Sequence, residues 1–265
     1  MGKTRRELML EEMGLTPIWR LRSDPAAAPE AGTDVETGAA EPVAASASLS
    51  RGSPVSEGGD RRAQIMSLEW PALKARVAQC ADCVLHQKRN KTVFGVGDEN
   101  ADWLFVGEGP GAEEDAQGEP FVGQAGRLLD NMLAAIQLKR GQNVYIANCV
   151  KCRPPGNRNP EPGELHACEP YLHRQIELIR PKLIVALGRV AVSNLLATDA
   201  SIASLRGKLH EYRGTALIVT YHPAYLLRNL PDKAKAWADL CFAVRAMNDL
   251  QSANGVSSEN GERHG

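Results

Sequence analysis

The chain has 265 residues, with 31 basic and 32 acidic side chains, six cysteines and 5% aromatic residues. That is enough length for a full core, and the ordinary apolar content with few aromatics suits an α/β protein better than a β-sandwich. No apolar run is long enough to cross a bilayer, and no apolar stretch precedes a small-residue cleavage site, so a cytoplasmic protein without a membrane partner is expected.

The near-zero net charge hides an uneven distribution. Residues 1–23 sum to +2, residues 24–60 to −6, and the remainder to +3. A mildly cationic body behind an acidic segment is compatible with a nucleic-acid partner. Residues 1–22 combine a short amphipathic helix (Leu8, Met13, Leu15) with an extended Ile18-Trp19. They read as a docking peptide for another protein. Residues 23–62, rich in Ala, Pro, Ser, Gly and Glu without periodicity, read as a disordered linker. The first segment also resembles the N-terminal peptide of the bacterial replicase psi subunit, on Arg5-Arg6, Leu8, Gly14 and Trp19. That resemblance implies a replication or repair protein as its partner.

From residue 63 to 250 the pattern is globular. Leu68, Ala72, Leu73 and Val77 share one helix face. Apolar runs predict strands at 92–96, 102–107, 143–148, 182–188 and 215–221. Helical spacing predicts helices at 124–137, 161–179, 189–197 and 232–249. Strands alternating with helices predict a three-layer αβα sandwich around a mostly parallel sheet. Residues 251–265 read as a flexible tail.

Between the strand ending at Val106 and the helix opening at Gln124 runs Gly107-Glu-Gly-Pro-Gly-Ala-Glu-Glu-Asp-Ala-Gln-Gly-Glu-Pro-Phe-Val-Gly123. A loop at the carboxyl end of a strand is where open α/β sheets build sites. It lacks the Gly-Lys-Ser/Thr ending of a P-loop, and its carboxylates would repel phosphate. Two further stretches end strands in the same way: Tyr145-Ile-Ala-Asn148 leading into Lys151-Cys-Arg-Pro-Pro-Gly-Asn-Arg158, and Ile218-Val-Thr-Tyr-His222-Pro-Ala-Tyr-Leu-Leu-Arg228. A lone histidine or strand-end asparagine is usually structural. Convergence of all three at one sheet edge favours a site.

The cysteines are spaced for a metal. Cys80 and Cys83 form a C-x2-C pair, and spacing allows either Cys149 with Cys152 or Cys152 with Cys168 to complete four sulfur ligands for zinc or an iron–sulfur cluster. Cys149 ends an apolar strand, where cysteine is commonly a small buried residue. Cys168 lies in a helix opened by Pro160-Glu-Pro162 and can reach back toward Cys152. Cys80, Cys83, Cys152 and Cys168 are therefore the favoured set, and Cys241 stands apart.

From about Leu68 to Leu250 these motifs resemble the family 4, iron–sulfur uracil-DNA glycosylases: Gly-Glu-Gly-Pro-Gly-x-Glu-Glu-Asp, Pro-Phe-Val-Gly, Asn-x-x-Lys-Cys-Arg-Pro-Pro and His-Pro-x-Tyr-Leu-Leu-Arg occur in order. The resemblance implies a [4Fe–4S] cluster on the four favoured cysteines and a monomeric enzyme that hydrolyses the N-glycosidic bond of uracil in DNA. It implies a base stacked on Phe121, read by Asn148, screened at C5 by Glu114 and held at O2 by His222. Backbone N–H groups of Gly107 to Gly109 would assist, and Glu108 is the best candidate to position or deprotonate water; the chain departs from the family 1 relatives in carrying Gly109 where their loop has aspartate. Tyr225, Leu226, Leu227 and Arg228 would wedge the duplex, and Lys151, Arg153 and Arg158 would meet phosphate. Residues 154–160 contain no histidine, unlike relatives that trap uracil-DNA covalently. A non-catalytic metal-binding adaptor or an iron–sulfur electron carrier would use the same cysteines, but no dinucleotide fingerprint supports the carrier.

Overall fold

The computed structural model describes residues 57–259, with side chains from 61 to 252. The docking peptide and most of the linker expected from the sequence lie outside the described residues. Helices α1 (Glu57–Met66) and α2 (Trp70–Ala78) lead into β1 (Val96–Gly97), β2 (Trp103–Gly107), α3 (Ala112–Gln117), α4 (Gln124–Ala135) and β3 (Val144–Asn148). Then come α5 (Pro162–Ile179), β4 (Leu183–Leu187), α6 (Arg189–Leu196), α7 (Ile202–Leu205), β5 (Leu209–Tyr212), β6 (Thr215–Thr220), α8 (Pro223–Arg228) and α9 (Lys233–Glu259).

The strands form one six-stranded sheet in the order β1-β3-β2-β4-β6-β5. The inner pairs β3–β2, β2–β4 and β4–β6 are parallel; β1 and β5 add antiparallel edges. Strands β2, β3 and β4 are buried along their whole length, as continuous apolar runs in a parallel sheet must be when helices cover both faces. Alternation sorts their side chains into two cores. Leu104, Val106, Ile184 and Ala186 pack with Leu172 and Ile176 of α5 and Val192 of α6. Trp103, Phe105, Ile146 and Val185 pack with Leu129 and Leu133 of α4 and Ala243 and Met247 of α9. This is the αβα sandwich expected from the sequence.

Three boundaries differ from the sequence reading. The linker ends earlier, because α1 already belongs to the fold: Ile65 is buried, Arg61 pairs with Asp82 at 2.8 Å, and Arg62 pairs with Glu169. The strand expected at 92–96 shrinks to Val96–Gly97, since Gly95 and Gly97 take φ of 142° and 138°, outside ordinary strand geometry. The last helix runs on to Glu259 rather than stopping near 249. Strand β5 has no apolar run to announce it. Its sequence is mostly polar and largely exposed, and its hairpin turns on Arg213 and Gly214 at φ 49° and 84°, a pair of left-handed residues fitting a primed turn.

Candidate active site

Connections leave β2 toward β3 on one side and β4 toward β6 on the other, so the sheet has a switch point at the carboxyl ends of β2 and β4. A cleft of about 830 Å³ opens there. Of the predicted residues, Glu108, Gly109, Glu114, Phe121, Asn148, Arg158, His222, Tyr225 and Arg228 all line it. Gly107 lies beneath. A Cβ on Gly107 would stand 2.5 Å from both Asn148 Oδ1 and Phe121 Cζ, so glycine is what lets these two side chains meet over β2.

Asn148 ends β3 and is 2% exposed, yet its Oδ1 is buried without any hydrogen-bond partner. Buried acceptors are nearly always satisfied, and an orphan marks a strained or ligand-binding position. Beside it, the Phe121 ring stacks on the His222 ring with centroids 5.5 Å apart. Phe121 adopts φ 55°, a left-handed conformation that is costly for a bulky residue.

His222 follows β6 and caps α8, its Nδ1 accepting from the Ala224 N–H at 3.1 Å. Burial, reinforced by Arg228 and opposed by Glu114, lowers its pKa to about 4. At neutral pH the ring is therefore uncharged, with Nδ1 as acceptor and Nε2–H as the remaining donor. Burial also raises the Glu108 carboxyl above its usual range. Glu114 is held firmly: its carboxylate accepts from Gly111 N–H at 3.0 Å, Val122 N–H at 3.0 Å and Gly123 N–H at 3.2 Å. It thereby ties the loop after β2 to the one carrying Phe121. A Cβ at Gly109 would meet Val150 Cγ2 at 2.7 Å, so a side chain there requires Val150 to shift.

At the rim the placement is mixed. Leu227 and Arg228 are exposed, and Tyr225 stacks on Tyr221 with centroids 5.2 Å apart. Leu226 is 1% exposed and packs with Met132, Ala236 and Leu240, so it anchors α8 and cannot enter a duplex. Lys151 is likewise corrected. It is 1% exposed, and its Nζ donates to Asn148 O at 2.9 Å and Gln175 Oε1 at 2.6 Å, which leaves no reach to phosphate. Arg158 spends donors on Glu164 at 2.7 and 2.9 Å. Arg153 is half-buried and donates to Asn157 Oδ1 at 2.7 Å.

Gly188, Arg189, Tyr221 and the Ser201–Ala203 segment also line the cleft, and the sequence reading does not single them out. Gly188 has a visible signal, an apolar strand ending in glycine before a helix, the same arrangement seen at Gly107. A Cβ there would meet the His222 Cβ at 2.7 Å.

Cys80, Cys83, Cys152 and Cys168 line a second cavity, with Val77, Leu85, Val150 and Tyr171 as an apolar shell. Cys149 is buried instead in the core between the sheet and α5. Arg89 Nη1 donates to Cys152 Sγ at 3.0 Å and the Lys151 N–H to Cys168 Sγ at 3.3 Å. Among the described residues no three His, Cys, Asp or Glu side chains are gathered as ligands of a metal ion.

A model of the Uracil DNA glycosylase superfamily matches residues 94–241, and the chain belongs to that superfamily. It is 47% identical to the Type-4 uracil-DNA glycosylase of Archaeoglobus fulgidus over 159 residues, 57% of this chain and 79% of that one. The Type-4 enzyme of Thermotoga maritima is 47% identical over 156 residues, 58% of this chain and 81% of its own. For Pyrobaculum aerophilum the figures are 42% over 183 residues, 66% and 93%. Its place within the superfamily is the type-4 branch.

Proposed function

We propose that this chain excises uracil from DNA by hydrolysing the N-glycosidic bond, as a cytoplasmic monomer acting in base excision repair. One observation carries the reading: Asn148, with its Oδ1 buried and unpartnered, lines the same cleft as the stacked Phe121 and His222 rings. A planar base with a donor at its edge satisfies both. Uracil offers N3–H to that oxygen and O4 to the amide nitrogen. Cytosine offers an unprotonated N3 and an amino group, leaving like against like, a mismatch that can discriminate by about 10⁴ or more. The fixed Glu114 carboxylate forms the wall against a C5 methyl.

The base must leave the stack to be cut. Leu227, Tyr225 and Arg228 stand at the rim to fill the gap it leaves, and Arg158 and Arg153 to meet the backbone. In the reaction the C1′–N1 bond breaks and its electron pair departs with uracil. The neutral His222 donates from Nε2 to O2, where negative charge collects, with backbone N–H groups of Gly107 to Gly109 assisting. Water adds to C1′ and gives its proton to Glu108. Its raised pKa makes Glu108 a stronger base than a free carboxylate.

The four thiols lining one cavity fit a [4Fe–4S] cluster. A [4Fe–4S] cluster takes four cysteine thiolates, the number that lines this cavity. The Lys151 ammonium is fully buried beside them and donates to the neutral oxygens of Asn148 and Gln175, so it calls for negative charge nearby. When bound, the cluster supplies metal–thiolate bonds that tie the loop after β3 and the 80–83 turn to α5. The first 22 residues are proposed to dock on a replication or repair protein.

The test is uracil release from a uracil-containing oligonucleotide, with iron counted on the same sample. Release with about four irons per chain is expected. Iron-replete protein that releases no base would sink the enzyme reading, and active protein without iron would sink the cluster.

A further inference from the structure

The left-handed Phe121 peptide is contacted by residues outside the motifs, Arg140 and Gly126. Arg140 sits in a turn closed by Gln142 N–H to Lys139 O at 3.0 Å, with Gly141 at φ 78°. Its Nη1 donates to Pro120 O and its Nη2 to Phe121 O, both at 2.8 Å. Asp130 of α4 fixes the guanidinium in turn, accepting from Nε at 3.0 Å and Nη2 at 2.9 Å. Beneath the same peptide lies Gly126, where a Cβ would fall 1.8 Å from Phe121 O. Strained backbone persists only where its surroundings over-determine it. Here a fork of donors above and a missing side chain below do so.

We infer that Arg140, oriented by Asp130, is a positioning residue that sets the Phe121 ring at the cleft floor, acting through the Pro120 and Phe121 carbonyls. This rests on the proposed role of Phe121 as the stacking surface for the extruded base. A planar guanidinium suits the task because two neighbouring carbonyls can be held at once while the third edge faces a carboxylate. A lysine ammonium keeps the charge but lacks the fixed fork. Without the fork, the peptide is free to relax from φ 55° toward ordinary geometry, which swings the ring away from His222. Misplacement by about an ångström can cost about 10²-fold in rate.

The experiment is a double-mutant cycle on single-turnover uracil excision, using full-length protein and the variants R140A, F121A and R140A/F121A. R140A is expected to slow excision by about 10- to 100-fold while leaving affinity for uracil-free DNA within about twofold. In the F121A background the same change should cost less than about twofold, because groups acting through one another are not additive. R140K covers the case that R140A does not fold, and it should show the same non-additivity with a smaller loss. If R140A or R140K slows the enzyme equally in both backgrounds, or not at all, the inference is overturned. If it instead weakens DNA binding in a salt-dependent manner, Arg140 is a phosphate contact and the inference is again overturned. A distinct failure, F121A excising at the wild-type rate, would remove the stacking surface itself.

Discussion

Asn148→Leu should make the protein more stable and far less active. In the free enzyme Asn148 Oδ1 is buried with no partner, and leaving a polar group in that state costs about 1–3 kcal/mol. Leucine has a similar branched shape and nothing to satisfy, so that cost disappears on substitution. For a domain of about 150–250 residues each kcal/mol is about 2–4 °C of melting midpoint, so a rise of about 2–12 °C is expected. Activity moves the other way. Uracil N3–H and O4 then enter the site without partners, at about 1–3 kcal/mol each, which is roughly 30-fold to over 10⁴-fold in rate. Single-turnover excision from an end-labelled oligonucleotide, with a calorimetric melt of the same protein, reads both quantities. A variant that excises within about tenfold of wild type would show that the amide does not read the base. A variant that loses activity and several degrees of melting midpoint together would make Asn148 a structural residue.

Excision should rise with pH as Glu108 loses its proton, with an acid limb displaced above the usual carboxylate range because burial raises this group. His222, with its pKa lowered to about 4, is neutral throughout the range near neutrality and contributes no limb there; a limb that survives Glu108→Gln would refute the assignment. Cys152→Ser should strip the brown colour and most iron and lower the melting midpoint, because cluster binding is folding energy; full iron retention would exclude Cys152 as a ligand. Deleting residues 1–56 should leave oligonucleotide activity unchanged, whereas deleting 1–66 removes buried Ile65 and the Arg61–Asp82 pair. Burial of one such side chain is worth about 1.5–3 kcal/mol, or about 3–12 °C in a circular-dichroism melt. A midpoint within about 1 °C of the longer form would show that α1 is dispensable.

The sheet was legible because its inner strands are buried on both faces and so read as unbroken apolar runs, each followed by glycine, asparagine or histidine at the cleft. What escaped was decided by partners far away in sequence. Helix α1 looks like linker, with Gly58 and Gly59 inside it, and joins the fold through Arg61 and Arg62 reaching α5 and the Asp82 turn. Lys151 stands in a basic stretch that suggests phosphate, but Gln175 from α5 and the Asn148 carbonyl draw its ammonium inward. In the Tyr225-Leu-Leu-Arg228 run the two leucines look alike, yet helix α8 turns Leu226 into the core and Leu227 out. Arg140 belongs to no motif, and only its contacts with Pro120 and Phe121 reveal it.

A short path joins the cleft and the cysteine cavity. Asn148 ends β3, and three residues later Lys151 turns back to bond its carbonyl, while the Lys151 N–H faces Cys168 and Cys152 follows directly. Gln175, one turn of α5 beyond Tyr171, takes the other side of the ammonium and donates to Phe94 O at 2.9 Å. The Asn148 carbonyl, the Lys151 amine and the Gln175 amide along this path are buried and paired, so it transmits position rather than flexing. The segment proposed to read the base is therefore anchored on one side by the strand ladder and on the other by the loop carrying the thiols. A cluster bound as proposed would therefore serve position rather than electron transfer: hydrolysis of a glycosidic bond moves no electrons between enzyme and substrate, but it does require the strand end that carries Asn148 to hold its place.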